Sequence, residues 1–180
     1  MKKQVSIKDI LDFKPCVAYP EKKIKEIFQR ENWGEYVTVE ELFKLKISSL
    51  DFFWLILRPE FISEKGLELI SLWCIETIIL PMYEEFFPNN KNPREAVETK
   101  KLHVKGEITI EQLNSTCYYT WSDAWRSTKP HRASDAAVDA DTAATMVVSS
   151  GKMDEETIGT KIKQYIQDVI NSNENEGEII

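Results

Sequence analysis

The chain has 180 residues, 30 acidic against 23 basic side chains for a net charge of −7, and 42% hydrophobic residues that include five Trp. That length fits one domain or a domain with an appendage, and that apolar content excludes a chain disordered throughout. The acidic surplus excludes broad contact with DNA or RNA, which needs Lys and Arg in excess to neutralise phosphates.

In chain order the pattern is helical. Ser6 is placed to cap a short helix over 7–13, and Pro20 opens an amphipathic segment with Ile24, Ile27 and Phe28 on one face. Gly34 is the expected breaker of that segment. Thr38-Val39-Glu40-Glu41 has the form of a capping box, opening a helix that buries Val39, Leu42 and Phe43. Ser48, Ser49 and Asp51 start a helix over 50–57, apolar almost all round, which Pro59 ends.

Ser63-Glu64 opens a long helix to about Phe86, with Leu67, Ile70, Cys74, Ile78 and Met82 at helical spacing, and Pro81 is expected to kink it or split its last turn. Asn92-Pro93-Arg94-Glu95 reads as N-cap, first turn and N3 of a helix that Gly106 ends. A helix over 109–128 follows. Pro130 then opens one with an alanine face from Ala133 to Val148. Asp154 caps a last amphipathic helix through Ile158, Ile162, Tyr165, Ile166 and Val169. Trp54 and Trp73 read as core, and Trp33 stays open. No strand alternation of useful length occurs, so the expected fold is all-α: a multi-helix bundle with antiparallel helical hairpins and an alanine-faced helix. Its expected parts are an N-terminal helical extension (1–50) packing on a core (51–170), with a flexible acidic tail (171–180).

The start Met-Lys-Lys-Gln-Val-Ser has no apolar run behind it, so no signal peptide is expected. Stretch 52–57 is too short to span a bilayer and 69–80 is interrupted by Glu76, so no membrane partner is expected either. Cys16, Cys74 and Cys117 are odd in number and widely spaced, which fits buried, reduced thiols in a cytoplasmic protein better than disulfides or zinc. No metal and no cofactor is expected. There is no Gly-x-Ser-x-Gly, no glycine-rich phosphate loop and no His-Glu-x-x-His.

Charge is unevenly spread along the chain. Residues 1–90 carry −3 and residues 133–180 carry −7, while 91–132 carry +3 and hold both histidines, His103 and His131. Arg94 and Arg132 stand in first helical turns, where the macrodipole disfavours cations. If 93–105 and 109–128 form an antiparallel hairpin, Arg94, Trp125, Arg126, His131 and Arg132 converge beside two helix N-termini that already favour anions. Lys101, His103 and Trp121 border the same region. Two readings of this block stand side by side: an anion site, or internal pairing of Arg94 and Arg132 with Glu98, Asp123 or Asp135.

Several segments together resemble a family. Trp73-Cys74-Ile75-Glu76, Leu80, Tyr83-Glu84-Glu85, Pro93-Arg94-Glu95-Ala96-Val97-Glu98 and Lys105-Gly106-Glu107 are similar in order and spacing to immunity proteins of the Imm-5-like type. The alanine helix 133–148 matches too, and the resemblance covers about 51–148. Departures fall at the basic block: Lys101 stands where the family carries Arg, and His103 where it carries Trp. The resemblance implies a small helical protein that neutralises a toxic protein stoichiometrically, with no catalytic residues.

Three functions follow as expectations. The first is a non-enzymatic binding protein that sequesters a protein toxin or effector. The second is a sponge for a small anionic, nucleotide-like ligand, held by Arg94, Lys101, His103, Trp121, Trp125, Arg126, His131 and Arg132. The third is a hydrolase with His103 or His131 as general base. The alanine face and helix 50–57 leave packing within one chain and packing in a homo-oligomer both open.

Overall fold

In the computed structural model, residues 2–117 and 154–175 are described, and the chain is predominantly helical. It divides into two compact units, Met1–Ser48 and Ser49–Ile180.

The N-terminal unit is built from one local device used twice. Strand β1 (Gln4–Ser6) runs directly into helix α1 (Ile7–Asp12), and β2 (Tyr36–Thr38) runs directly into α3 (Val39–Lys44). At each junction the last strand residue is the N-cap. Ser6 Oγ accepts from the Asp9 N–H at 3.2 Å while the Asp9 carboxylate accepts from the Ser6 N–H at 2.8 Å. Thr38 and Glu41 repeat both bonds at 3.2 and 2.8 Å. The strands pair antiparallel with Val5 opposite Val37, both fully buried. This ladder was not expected from the sequence.

Between the two copies lies α2 (Glu21–Arg30), whose Ile24 and Phe28 are buried. It ends at Asn32 rather than at Gly34. Asn32 takes the left-handed conformation, φ 55°, and its N–H and that of Trp33 bond the carbonyls of Gln29 and Phe28 at 3.1 and 2.9 Å. Trp33 closes the motif by packing edge-on against Phe28, ring centroids 5.2 Å apart.

The second unit begins with α4 (Ser49–Ile56), which buries Phe52, Phe53, Leu55 and Ile56. The long segment from Ser63 contains α5 (Glu64–Cys74), a π-helical turn (Ile75–Ile79) and α6 (Leu80–Phe86). At Pro81, where a kink or a split last turn was expected, the segment changes winding: a π turn ends at Ile79 and α6 begins at Leu80 with Pro81 in its first turn. The Leu80 N–H reaches five residues back to the Ile75 carbonyl, so the turn before Pro81 gives room to a ring that would otherwise clash one turn back. Leu67, Ile70, Cys74 and Ile78 are buried as their spacing indicated.

Helix α7 (Asn92–Val104) begins one residue earlier than its sequence signature. Asn92 is already helical, and its N–H is held by the Asn90 side chain at 3.2 Å. The helix ends as expected at Gly106, φ 77°, where the Glu107 and Gly106 N–H groups bond the carbonyls of Leu102 and His103. Helix α8 (Ile110–Cys117) packs against α7. The rest of the expected helix 109–128 and the alanine helix 133–148 lie outside the described residues.

Helix α9 (Glu155–Asn175) is capped by the Asp154 carboxylate, which accepts from the Thr157 N–H at 2.9 Å. It continues four residues past Asn171, where a tail was expected to start. Ile158, Ile162, Ile166 and Val169 are buried on one stripe, and Tyr165 stacks on Trp73 at 4.7 Å. Trp54 and Trp73 are half-buried rather than core, Trp54 lying under the Arg58 guanidinium at 4.3 Å.

Candidate functional site

The basic edge of α7 meets a carboxylate ladder. Glu68, Glu76 and Glu84 recur at eight-residue spacing along α5, the π turn and α6; eight residues of regular α-helix overshoot two turns by about 80°, and the surplus residue of the π turn takes up that drift before Glu84. Each finds a cation of α7. Glu68 pairs with Lys100 at 2.6 Å, both side chains only 13% exposed. Glu76 pairs with Lys101, which also reaches Glu98 at 3.2 Å. Glu84 takes Arg94 in a two-pronged bond, Nε to Oε1 at 2.7 Å and Nη2 to Oε2 at 2.6 Å. The pairs run in opposite chain order, so α7 lies antiparallel to the segment it faces.

The pairing reshapes the electrostatics. The Arg94 bond holds the Glu84 carboxyl below the usual glutamate range, and the same bond raises Arg94. Lys101 is likewise raised, first by its bond to Glu76. The wrong-end position of Arg94 in its helix is thereby explained: a carboxylate from another helix compensates it. Of the two readings of the basic block, internal pairing describes Arg94, although with Glu84 rather than the partners expected, and it extends to Lys101, which holds Glu76 and Glu98.

His103 donates from Nδ1 to the Ile108 carbonyl at 3.3 Å, tying the end of α7 to the turn before α8. Trp121, Trp125, Arg126, His131 and Arg132 lie outside the described residues, as do Asp123 and Asp135. Arg94, Lys101 and His103 therefore share α7, and the two cations among them already hold carboxylates.

Chemistry beyond ion pairing is limited among the described residues. No group of three or more His, Cys, Asp or Glu is arranged to hold a metal ion there. The buried Cys74 thiol is pushed up to about 12 by burial, which keeps it protonated and unreactive at neutral pH. The segment Glu64–Phe86 is long and apolar enough to cross a membrane by length and composition alone, with a mean hydropathy of 1.4 over its best window. Its Glu68 and Glu76 are paired to α7, and Leu67, Ile70, Cys74 and Leu80 are buried within the protein.

The carboxylate partners were the feature missed from sequence. An eight-residue repeat drifts about 80° per step on a regular α-helix, so spacing alone does not place these carboxylates on one edge; the π turn that re-phases Glu84 is not legible in the residues. Comparison of the chain with models of known families, with characterised proteins and with solved structures finds no match in any of the three. Fold and site together define a class only: a predominantly helical protein whose described basic edge is internally compensated.

Proposed function

We propose that the chain is a non-enzymatic binding protein that neutralises a toxic or defence effector by stoichiometric sequestration, as its resemblance to Imm-5-like immunity proteins implies. The observation that supports this reading is the occupied state of Arg94 and Lys101, whose charges are spent on Glu84 and Glu76. A nucleotide sponge centred on those cations would have to displace Glu84 and Glu76 from them, a cost that ligand binding must repay. Residues 49–180 carry 13 basic against 22 acidic side chains, which favours a basic partner protein steered by charge.

The test is reconstitution. A partner captured from cell extract is purified and mixed with the chain. The reading expects a 1:1 complex whose association slows as salt rises from about 0.05 M to about 0.5 M. Arg94→Ala should leave that complex intact. Nucleotide binding that Arg94→Ala abolishes would favour the sponge, and turnover of any bound ligand would refute both non-catalytic readings.

A further inference from the structure

The N-terminal unit holds a cavity of about 520 Å³, open on one side and lined by Tyr19, Lys23, Glu26, Ile27, Arg30, Lys46 and Ile47. That volume is in the range of small-molecule sites. Its lining divides by chemistry. Tyr19, Ile27 and Ile47 are half-buried and form an apolar floor, whereas Lys23, Arg30 and Lys46 are exposed and form a cationic rim. Lys23, Ile27 and Arg30 sit at i, i+4 and i+7 of α2, so one helix face presents both floor and rim.

The rim cations keep capacity for a ligand. Lys46 has no hydrogen-bond or ion-pair partner among the described residues. The Lys23 ammonium donates to the Ala18 carbonyl at 2.9 Å and lies 4.0 Å over the Tyr19 ring, neither of which cancels its charge. Arg30 uses Nε and Nη2 on Glu31 and retains its other donors. Glu26, the one carboxylate of the lining, lies 3.9 Å from Lys22 and offers an acceptor to a ligand N–H or O–H. The surroundings agree in sign. Residues 1–48 carry 10 basic against 8 acidic side chains, so a basic unit is hidden within an acidic chain.

We infer that this cavity is a binding site for a small organic phosphate monoester with a flat apolar body. The phosphate dianion meets Lys46, Arg30 and Lys23, and the body lies on Ile27, Ile47 and Tyr19. Three cations around one opening suit two negative charges on one group, and the apolar floor would go unused by an inorganic ion.

Titration calorimetry on the full chain tests this with adenosine 5′-monophosphate and p-nitrophenyl phosphate, beside inorganic phosphate and adenosine as their separate halves. Both esters should bind saturably at one site, each half about tenfold or more weakly, and binding of the esters and of inorganic phosphate, but not of uncharged adenosine, should fade with salt. Lys46→Glu should weaken the esters about tenfold or more, as loss of a charged hydrogen bond does, with the circular-dichroism spectrum unchanged. Arg30→Gln serves as the second variant, and Arg94→Ala should have no effect. The inference is overturned by esters that do not saturate, by affinities indifferent to both Lys46→Glu and Arg30→Gln, or by inorganic phosphate binding as tightly as the esters. A loss caused by Arg94→Ala would place the site at α7 instead.

Discussion

Gly159 of α9 stands so close to Ser49 of α4 that a Cβ there would lie 2.1 Å from Ser49 Oγ and 3.0 Å from its Cβ. The hydroxyl can rotate away; the Ser49 Cβ cannot. Gly159→Ala gains about 1 kcal/mol in helix propensity, yet the clash is expected to leave a net loss of about 1–3 kcal/mol. Urea denaturation measures the difference. In a Ser49→Gly background the same change should turn stabilising, because the obstructing atoms are gone. A parent-like midpoint for Gly159→Ala alone would show that the two helices have slack.

The paired capping boxes of the N-terminal unit make a matched experiment. Ser6→Ala and Thr38→Ala each remove one side-chain acceptor from a first helical turn, and each should cost about 1 kcal/mol. Equal losses are expected because the bond lengths at the two caps are the same, 3.2 and 2.8 Å. Thermal unfolding of both variants reads this directly, and a silent Thr38→Ala would show that the second copy is not held by its cap.

Stability should fall in acid. Asp9 is held below its ordinary 3.8, first by the bond from Lys2 and then by Ser6, and Glu84 below its ordinary 4.5 by the bond from Arg94. A carboxyl whose folded value is depressed stabilises fully above its unfolded value and loses that contribution as pH falls through the folded one. Urea midpoints should therefore hold steady from about pH 7 to about pH 5 and drop below about pH 4. Glu84→Gln should remove part of that drop, and an unchanged acid limb in the variant would show that the Arg94 pair contributes nothing in solution.

The thiols should separate by burial. Cys16 is exposed, whereas Cys74 is buried with its titration pushed up to about 12. In a Cys117→Ser variant, a disulfide exchange reagent at about pH 8 should modify one thiol in the native protein and the second only after denaturant is added. Rapid modification of both would mean that α5 opens locally.

What could be read from the residues was what is local. The Ser6 and Thr38 caps, the Gly106 stop and the buried stripe of Ile158, Ile162 and Ile166 depend on neighbours within a turn or two, so spacing reveals them. The strands escaped notice because three residues are too few for alternation to register, and Val5 meets a partner 32 positions away. The Arg94 and Lys101 partners depend on which helix lies alongside α7, which composition does not determine. At α2 the obvious breaker, Gly34, was outranked by Asn32, an amide-bearing residue that tolerates the left-handed region and lets Trp33 fold back onto Phe28.

The π turn at Ile75–Ile79 amounts to one surplus residue absorbed without a loop. Every position after it is rotated by about 100° relative to an uninterrupted α-helix. Glu84 faces Arg94 only because of that rotation. Deleting a single residue from the turn would give a shorter, regular helix that is better bonded internally, yet it would swing Glu84 away from its guanidinium. The imperfection is a phase adjustment, and the ion pair downstream is what it keeps in step.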